Sequence, residues 1–128
     1  MKLLLDTHTF LWLVEGSPNL SATAQTILAD PANQLFLSAA SVWELAIKTG
    51  NKKLTLAEPL DVYVHKWTLA YQLTLLPIYA AHSLAIARLP DHHRDPFDRI
   101  LIAQALVETM TLVSADAKLG LYSVPVVW

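Results

Sequence analysis

Short apolar runs alternate along this chain with longer segments of helical periodicity, and this alternation constrains the fold more than any other feature. The apolar runs are residues 3–5, 35–38, 73–76, 111–114 and 124–127. The helical segments between them cover residues 10–14, 20–28, 39–48, 60–71, 79–89 and 97–108. Runs without polar alternation are typical of parallel strands that are buried on both faces. The pattern therefore predicts an α/β fold, a three-layer sandwich whose central parallel β-sheet has four to five strands, with helices on both faces.

Composition predicts a single domain and excludes several kinds of site. A chain of 128 residues is long enough for one well-buried core, so we expect residues 1–128 to form one domain. The absence of cysteine excludes disulfides, thiolate catalysis and zinc–sulfur sites. A net charge of −2 leaves no broad basic surface, so a nucleic-acid substrate would have to be bound locally.

Hydropathy predicts a cytoplasmic protein with an exposed apolar surface. The chain begins with an apolar run that ends at Asp6, which fits neither a signal peptide nor a transit peptide. A membrane span needs roughly 18 or more apolar residues, and even the segment 75–87 is interrupted by Pro77, His82 and Ser83. Because 54% of the residues are hydrophobic, we expect some of them to remain exposed and to bind a partner.

Four acidic residues stand where apolar runs give way to expected helix starts: Asp6, Glu44, Asp98 and Asp116. In an open parallel sheet the functional crevice lies beyond the carboxyl ends of the strands, so the four carboxylates should converge there. Close carboxylates repel one another unless a proton or a cation neutralises them. Oxygen ligands without a Cys or His cluster favour Mg²⁺ or Mn²⁺. The chemistry typical of such a site is phosphoryl transfer or phosphodiester hydrolysis.

Helix capping is the alternative explanation for each acid taken alone. Asp95 followed by Pro96 predicts an N-cap, which places Asp98 at the third helical position, where a carboxylate favours the helix dipole. Residues 41–44 have the spacing of a capping box. The other two acids also stand at possible cap positions. Capping does not require four acids at one edge of one sheet, which favours a shared site.

The sequence resembles the PIN-domain ribonucleases of the VapC toxin type, the nuclease half of type II toxin–antitoxin pairs. The resemblance rests on five blocks in family order: LLLDTH at 3–8, SVWELAIK at 41–48, HRDPFDRILIAQA at 93–105, LVSAD at 112–116 and VPV at 124–126. The blocks extend over nearly the whole chain, and the third is the most specific. The fold that the resemblance implies is a PIN-like sandwich around a parallel sheet.

The resemblance also implies a site and an activity. The four acids match the quartet that holds one or two Mg²⁺ or Mn²⁺ ions in PIN nucleases, and Thr7 and Ser114 match small hydroxyl positions that line this pocket. Asp95 is kept as a helix cap. The expected reaction is metal-assisted hydrolysis of RNA by an endoribonuclease, in which Asp6 and Asp98 hold the ion that activates water. Glu44 or Asp116 would position a second ion or accept the proton of the water.

Other polar and aromatic residues carry weaker predictions. Two arginines that flank the third acid, Arg94 and Arg99, are candidates for phosphate contacts. Three histidines match no metal-ligand spacing and are interpreted as surface loop residues: His8, His92 and His93. Three tryptophans are predicted to be mostly core by their helical spacing: Trp12, Trp43 and Trp67.

The resemblance further implies a cognate antitoxin that packs a segment into an apolar groove near the site, and a homodimer is expected. Direct DNA binding by this chain is not expected. Two other functions remain open. The first is a catalytically silent PIN-like scaffold. The second is a Mg²⁺-dependent phosphatase of the haloacid-dehalogenase type, which needs a second carboxylate where this chain has His8.

Overall fold

The computed structural model describes residues 1–128 as five strands and six α-helices. The strands are β1 (Lys2–Leu5), β2 (Gln34–Ser38), β3 (Thr74–Leu76), β4 (Thr111–Val113) and β5 (Val126–Val127). The helices are α1 (Thr7–Glu15), α2 (Ala22–Ala29), α3 (Ala39–Gly50), α4 (Leu60–Ala70), α5 (Ala80–Ile86) and α6 (Pro96–Glu108). A short 3-10 helix, Ala117–Leu121, follows β4.

The five strands form one sheet in the order β3-β2-β1-β4-β5, and every neighbouring pair is parallel. The residues of β1 divide between two cores because successive side chains point to opposite faces. Leu3 and Leu5 belong to a core that also receives side chains from α1 to α4. Leu4 belongs to the opposite core, which receives α6 and the 3-10 helix. The predicted α/β sandwich with helices on both faces is confirmed.

Helix α6 is almost enclosed, as its nearly continuous apolar sequence predicts. Six consecutive residues, 100–105, are buried in it. The one polar residue among them, Gln104, accepts a hydrogen bond from the Ser38 hydroxyl at 2.6 Å and donates to the Pro77 carbonyl at 3.2 Å. A buried amide needs such partners, since an unpaired one costs about 1–3 kcal/mol. These bonds fix α6 against the carboxyl end of β2.

Some element bounds differ from the prediction. Helix α1 begins at Thr7, earlier than expected, because Asp6 caps it by accepting a hydrogen bond from the Thr9 N–H. Helix α5 ends at Ile86, whose carbonyl accepts the Leu89 N–H in a tight turn at 3.0 Å. Strand β5 covers only Val126–Val127, because the preceding proline has no N–H to donate to the ladder.

The prediction for Trp43 was wrong, since 59% of this residue is exposed. Trp12 and Trp67 are partly buried against the core that contains Leu3. Helical spacing placed Trp43 on the apolar stripe of α3, but α6 contacts this residue through Phe97 and leaves most of its surface uncovered. None of the helices is long and apolar enough to cross a lipid bilayer.

Candidate metal site at the carboxyl edge of the sheet

The four predicted acids come from four separate segments that the sheet brings to one edge. Asp6 directly follows β1, and Asp116 follows β4 by a short turn. Glu44 lies on α3, which begins immediately after β2. Asp98 lies in the first turn of α6, and α6 packs against α3. Because β1, β2 and β4 are parallel neighbours, their carboxyl ends meet at the same edge of the sheet.

Asp6 is the most buried of the four and is held by two hydrogen bonds. It is only 8% exposed. Its Oδ1 accepts the Thr9 N–H at 2.8 Å, and its Oδ2 accepts the Ser114 hydroxyl at 2.5 Å. The Thr9 hydroxyl donates in turn to the Val113 carbonyl at 2.9 Å. This network joins the ends of β1 and β4 and fixes the orientation of the Asp6 carboxylate.

Glu44 is positioned by a threonine and a lysine. The Thr7 hydroxyl donates to Glu44 Oε1 at 2.8 Å and lies 3.0 Å from the Ser41 hydroxyl oxygen. Lys48, one turn along α3, pairs with Glu44 Oε2 at 2.7 Å. The N-cap of α3 is Ser38, so Glu44 lies in the second turn and makes no capping box. The capping explanation is therefore excluded for this residue.

A histidine that was predicted to be a surface loop residue connects the other two acids. His93 Nε2 lies 3.0 Å from Asp98 Oδ2 and 3.0 Å from Asp116 Oδ2, and its side chain is only 11% exposed. His93 Nδ1 accepts the Asp95 N–H at 3.1 Å. Because Nδ1 is an acceptor, the proton of the neutral ring is on Nε2, where it faces the two carboxylates. The prediction that His93 is an uninvolved loop residue was wrong.

Asp98 and Asp116 respond to this environment in opposite directions. Burial raises the pKa of Asp98 to about 7, and the charges of Asp95, Asp6 and Asp116 add to this effect, while His93 opposes it. Burial also tends to raise the pKa of Asp116, but hydrogen bonds from the Lys118 N–H and from His93 lower it overall. The site thus pairs an acid that holds its proton near neutral pH with an acid that stays ionised.

Arg99, one of the two predicted phosphate contacts, is engaged by hydrogen-bond acceptors of the protein itself. Its side chain is 15% exposed, and its Nη1 donates to the Pro90 carbonyl at 3.0 Å, the His93 carbonyl at 3.3 Å and the Tyr122 hydroxyl at 3.2 Å. These bonds hold the loop that carries His93. Arg94 is exposed on the same loop, where a phosphate could reach it.

Asp95 acts as the predicted cap of α6. Its Oδ1 accepts the Phe97 N–H at 2.9 Å and the Asp98 N–H at 3.4 Å. The same contact orients the first turn of α6, and with it the Asp98 carboxylate. Asp95 also raises the pKa of Asp98 through its charge. It therefore shapes the site without belonging to the group of candidate ligands.

The donor set fits a hard divalent cation. One carboxylate oxygen each of Asp98 and Asp116 and one ring nitrogen of His93 lie within 4.8 Å of one another, and with the ring proton on Nε2 the two carboxylates are the ligands of this group. Asp6 is close enough to raise the pKa of Asp98 by its charge. Carboxylate oxygens are the ligands that Mg²⁺ and Mn²⁺ prefer, and a cation among them would remove the repulsion that now raises the Asp98 pKa.

The contribution of His93 could not be found from ligand spacing. Its position depends on the path of the 86–93 loop, which Arg99 sets through carbonyl contacts that are distant in the sequence. The only local signal was its place at the start of the HRDPFD block, directly before the predicted cap of α6.

Comparison with known proteins identifies the relatives of this fold. A sequence model of the PIN domain matches residues 3–125. The structure is similar to that of VapBC2 from Rickettsia felis bound to a DNA fragment from its promoter, with a TM-score of 0.74, 17% identity and coverage of 99% of this chain and 98% of that chain. No curated protein sequence matches the chain at a significant level.

Two further solved structures share the fold. VapBC-1 from nontypeable Haemophilus influenzae is similar with a TM-score of 0.68 and 15% identity, over 99% of this chain and 97% of that chain. FitAB bound to an IR36 DNA fragment is similar with a TM-score of 0.64 and 18% identity, over 98% of this chain and 93% of that chain. At these identities the likeness establishes the fold.

Replacement of Asp98 by asparagine should stabilise the metal-free protein at alkaline pH. The folded-state pKa of about 7 lies above the ordinary 3.8, so the ionised form is disfavoured in the folded protein. The raised pKa does not reduce the free energy of unfolding at pH values below 3.8, where Asp98 is protonated in both states. The reduction reaches its full size once the pH has risen above the folded-state pKa of about 7. We therefore expect D98N to raise the Tm at pH 8 in EDTA, with a gain that shrinks steadily towards pH 4.

Thermal unfolding of both proteins across this pH range measures the effect. Asp61→Asn is the matched control, because Asp61 lies in the first turn of α4 but is exposed. The control should show no such pH-dependent gain. A constant Tm difference between D98N and the wild type from pH 5 to pH 8 would contradict the assignment of a raised pKa.

Proposed function

The chain belongs to the PIN domain family, whose members are generally nucleases, and we propose that it is a divalent-metal-dependent endoribonuclease, the toxin of a VapC-type toxin–antitoxin pair. The observation that supports this proposal is the proximity of Asp98 to Asp116 and to Asp6 at the carboxyl edge of the sheet, where Thr7 links Glu44 to the residue that follows Asp6. One of these acids, Asp98, is destabilised in its charged form first by burial and then by the charges of Asp95, Asp6 and Asp116. Close carboxylates lower the stability of the metal-free protein, and a bound cation would relieve their repulsion.

In this proposal Asp6, Asp98 and Asp116 hold the ion. When bound, a Mg²⁺ or Mn²⁺ ion lowers the pKa of a coordinated water and polarises a phosphoryl oxygen. Thr9 and Ser114 fix the rotamer of Asp6 through the hydrogen bonds that they donate to it. Glu44, which Thr7 and Lys48 orient, would accept a proton from the attacking water.

The surroundings of the acids support single-stranded RNA as substrate. Trp43 is 59% exposed and packs edge-on against Phe97, with ring centroids 5.0 Å apart. Trp43 and Phe97 are the chain neighbours of Glu44 and Asp98, and their contact joins α3 to the first turn of α6, the two elements that carry these acids. An exposed indole can stack on an unpaired base. Arg94 offers a charge for a phosphate without requiring a broad basic surface.

The alternative assignment as a phosphatase loses support from the structure. Such enzymes need a second carboxylate two residues after the first, and that position here is His8. His8 is exposed and packs against Trp12, with ring centroids 5.6 Å apart. It therefore contributes no carboxylate and occupies no place among the four acids.

An apolar groove beside the acids is the proposed site for the antitoxin. The groove has a volume of about 240 Å³ and is lined by Trp43, Ile78, Ser83, Ile86, Pro96, Phe97 and Ile100. Almost all of its lining is apolar, which suits the apolar face of a partner segment. Because Trp43 lines the groove and is also the proposed base contact, an antitoxin bound there would cover the proposed RNA contact.

Replacement of Asp6 or Asp98 by asparagine should abolish RNA cleavage. Each change removes a proposed metal ligand, and the loss of several kcal/mol of charge stabilisation corresponds to at least about a hundredfold in rate. The measurement is cleavage of a single-stranded RNA in Mg²⁺ or Mn²⁺, with and without EDTA. Asp61→Asn should retain the activity. Undiminished cleavage by either variant, or by the wild type in EDTA, would refute the proposed mechanism.

Replacement of Trp43 by alanine should lower kcat/KM for RNA cleavage without changing the binding of the metal ion. Loss of one base–aromatic stack lowers kcat/KM for a single-stranded oligonucleotide by about tenfold. The stability gain on adding Mn²⁺ should match that of the wild type. Leu69→Ala is the control, since Leu69 is 72% exposed on α4 and outside the groove. Equal kcat/KM for W43A and the wild type would exclude the stacking role.

We further propose that two copies of the chain form a homodimer through the surface of α5 and α6. These helices pack against each other, and Leu84, Leu106 and Val107 remain exposed on them. Leu84→Glu should convert a dimer into a monomer in light scattering at micromolar concentration, because it places a charge in an apolar interface. Leu69→Glu should remain dimeric. A wild-type chain that is monomeric over this range would refute the dimer.

A further inference from the structure

A second acidic pocket lies at the opposite end of α1 from the candidate metal site. It is formed by the end of α1, the loop that contains Glu58 and the first half of α4, and its volume is about 270 Å³. Glu15, Glu58 and Tyr63 line it together with aliphatic side chains. Because a helix rises about 1.5 Å per residue, Glu15 lies roughly 12 Å along α1 from Thr7. The pocket therefore shares no residue with the four acids.

Two buried polar atoms in this pocket have no hydrogen-bond partner. The first is the hydroxyl of Tyr63, a residue that is only 4% exposed. The second is Glu58 Oε2, although the other oxygen of that carboxylate pairs with Lys66 at 2.7 Å. Unpaired buried polar groups are rare, and each costs about 1–3 kcal/mol. Both atoms belong to residues that line one pocket, so a hydrogen-bond donor that enters it and displaces these side chains slightly would satisfy both.

The electrostatics of the pocket specify a cation. Burial raises the pKa of Tyr63 to about 12, and the nearby charges of Glu15 and Glu58 add to it. Tyr63 therefore stays neutral between two carboxylates. Of the two acids only Glu58 has a salt-bridge partner, Lys66, so the pocket carries one unneutralised negative charge.

The end of α1 adds to this preference. Carbonyl groups at the carboxyl end of a helix favour positive charge, yet the last turn of α1 contains Glu15 and no basic residue. An acid at this position disfavours the helix unless a cation from outside the helix compensates for it. A cation with several N–H donors would suit the end of α1, the carboxylate of Glu15 and the two unpaired atoms.

We propose that this pocket binds a guanidinium group, as carried by an arginine side chain. A guanidinium has one positive charge and five N–H donors, enough for Glu58 Oε2, Glu15 and the Tyr63 oxygen together. The walls include Leu56, Val14 and Trp67. These apolar walls suit a planar, weakly hydrated guanidinium better than an ammonium, which is strongly hydrated. Such a site does not depend on the proposed nuclease activity.

Calorimetric titration with N-acetyl-arginine amide tests the proposal, in buffer with EDTA so that the four acids hold no metal. The arginine derivative should bind saturably, and the neutral citrulline derivative should bind at least about tenfold more weakly because it lacks the charge. The lysine derivative should also bind more weakly than the arginine derivative. Equal affinity for the citrulline or lysine derivative, or no saturable binding of the arginine derivative, would overturn the proposal.

Variants locate the binding. Glu58→Gln and Glu15→Gln should each weaken the arginine derivative by about tenfold, and Asp61→Asn should leave its affinity unchanged. Tyr63→Phe should weaken binding without loss of stability, because it removes an unpaired hydroxyl and keeps the ring. Wild-type affinity in both glutamate variants would place the ligand elsewhere and refute the assignment. If one glutamate variant fails to fold, the other glutamate variant and Tyr63→Phe still locate the binding, because each removes a different proposed contact.

A second titration distinguishes an arginine side chain of a polypeptide from free arginine as the source of the guanidinium. A five-residue peptide with a central arginine and glycine neighbours should bind more tightly than free arginine if the natural ligand is a side chain of a polypeptide. Tighter binding of free arginine would identify a small molecule as the source. RNA cleavage assays on the Glu15 and Glu58 variants separate this site from the proposed active site, since neither change should alter cleavage.

Discussion

The parallel pairing of β1 with β2 and with β4 is the constraint on which the rest of the structure depends. The register aligns Leu5 with Leu37 on one side and with Val113 on the other, so the strands end at nearly the same level. Asp6 can then accept the Ser114 hydroxyl directly. A slip of one residue would exchange the buried faces of β1 and would separate these two side chains. The fold and the site are therefore specified by the same apolar runs.

Much of this could be predicted from the sequence, because parallel strands and helix starts leave local patterns. The common edge expected for Asp6, Glu44, Asp98 and Asp116 follows from parallel strands that alternate with helices, whereas the hydrogen bonds of these acids do not. His93 could not be placed, since its ring position depends on a loop held by Arg99. The contacts of Arg99 could not be foreseen either, because most of its acceptors are backbone carbonyls, which carry no sequence signal. Helical spacing likewise cannot say whether a neighbouring element covers Trp43.

The cluster around Asp98 is an unfavourable arrangement for the metal-free protein. Burial and three neighbouring carboxylates disfavour the charged form of Asp98, and one imidazole compensates only in part. Proteins retain such costs at functional sites, where stability and activity oppose each other. The hydrogen bonds from Ser114 to Asp6 and from Thr7 to Glu44 restrict the carboxylates from moving apart. The carboxylates therefore stay close together in spite of their repulsion, as a cation-binding site requires.

The two acidic pockets of this chain differ in what surrounds the charge, and this difference decides which cation each would take. At the sheet edge the carboxylates are surrounded by hydroxyl groups, backbone N–H groups and His93, an environment that suits a hard ion and its waters. Beside Tyr63 the walls are aliphatic and aromatic, and a hydrated metal ion would lose more solvation there than one free carboxylate returns. A guanidinium loses less, because its charge is spread over a weakly hydrated plane. One small fold can therefore present negative charge to two classes of cation without either site competing for the ligand of the other.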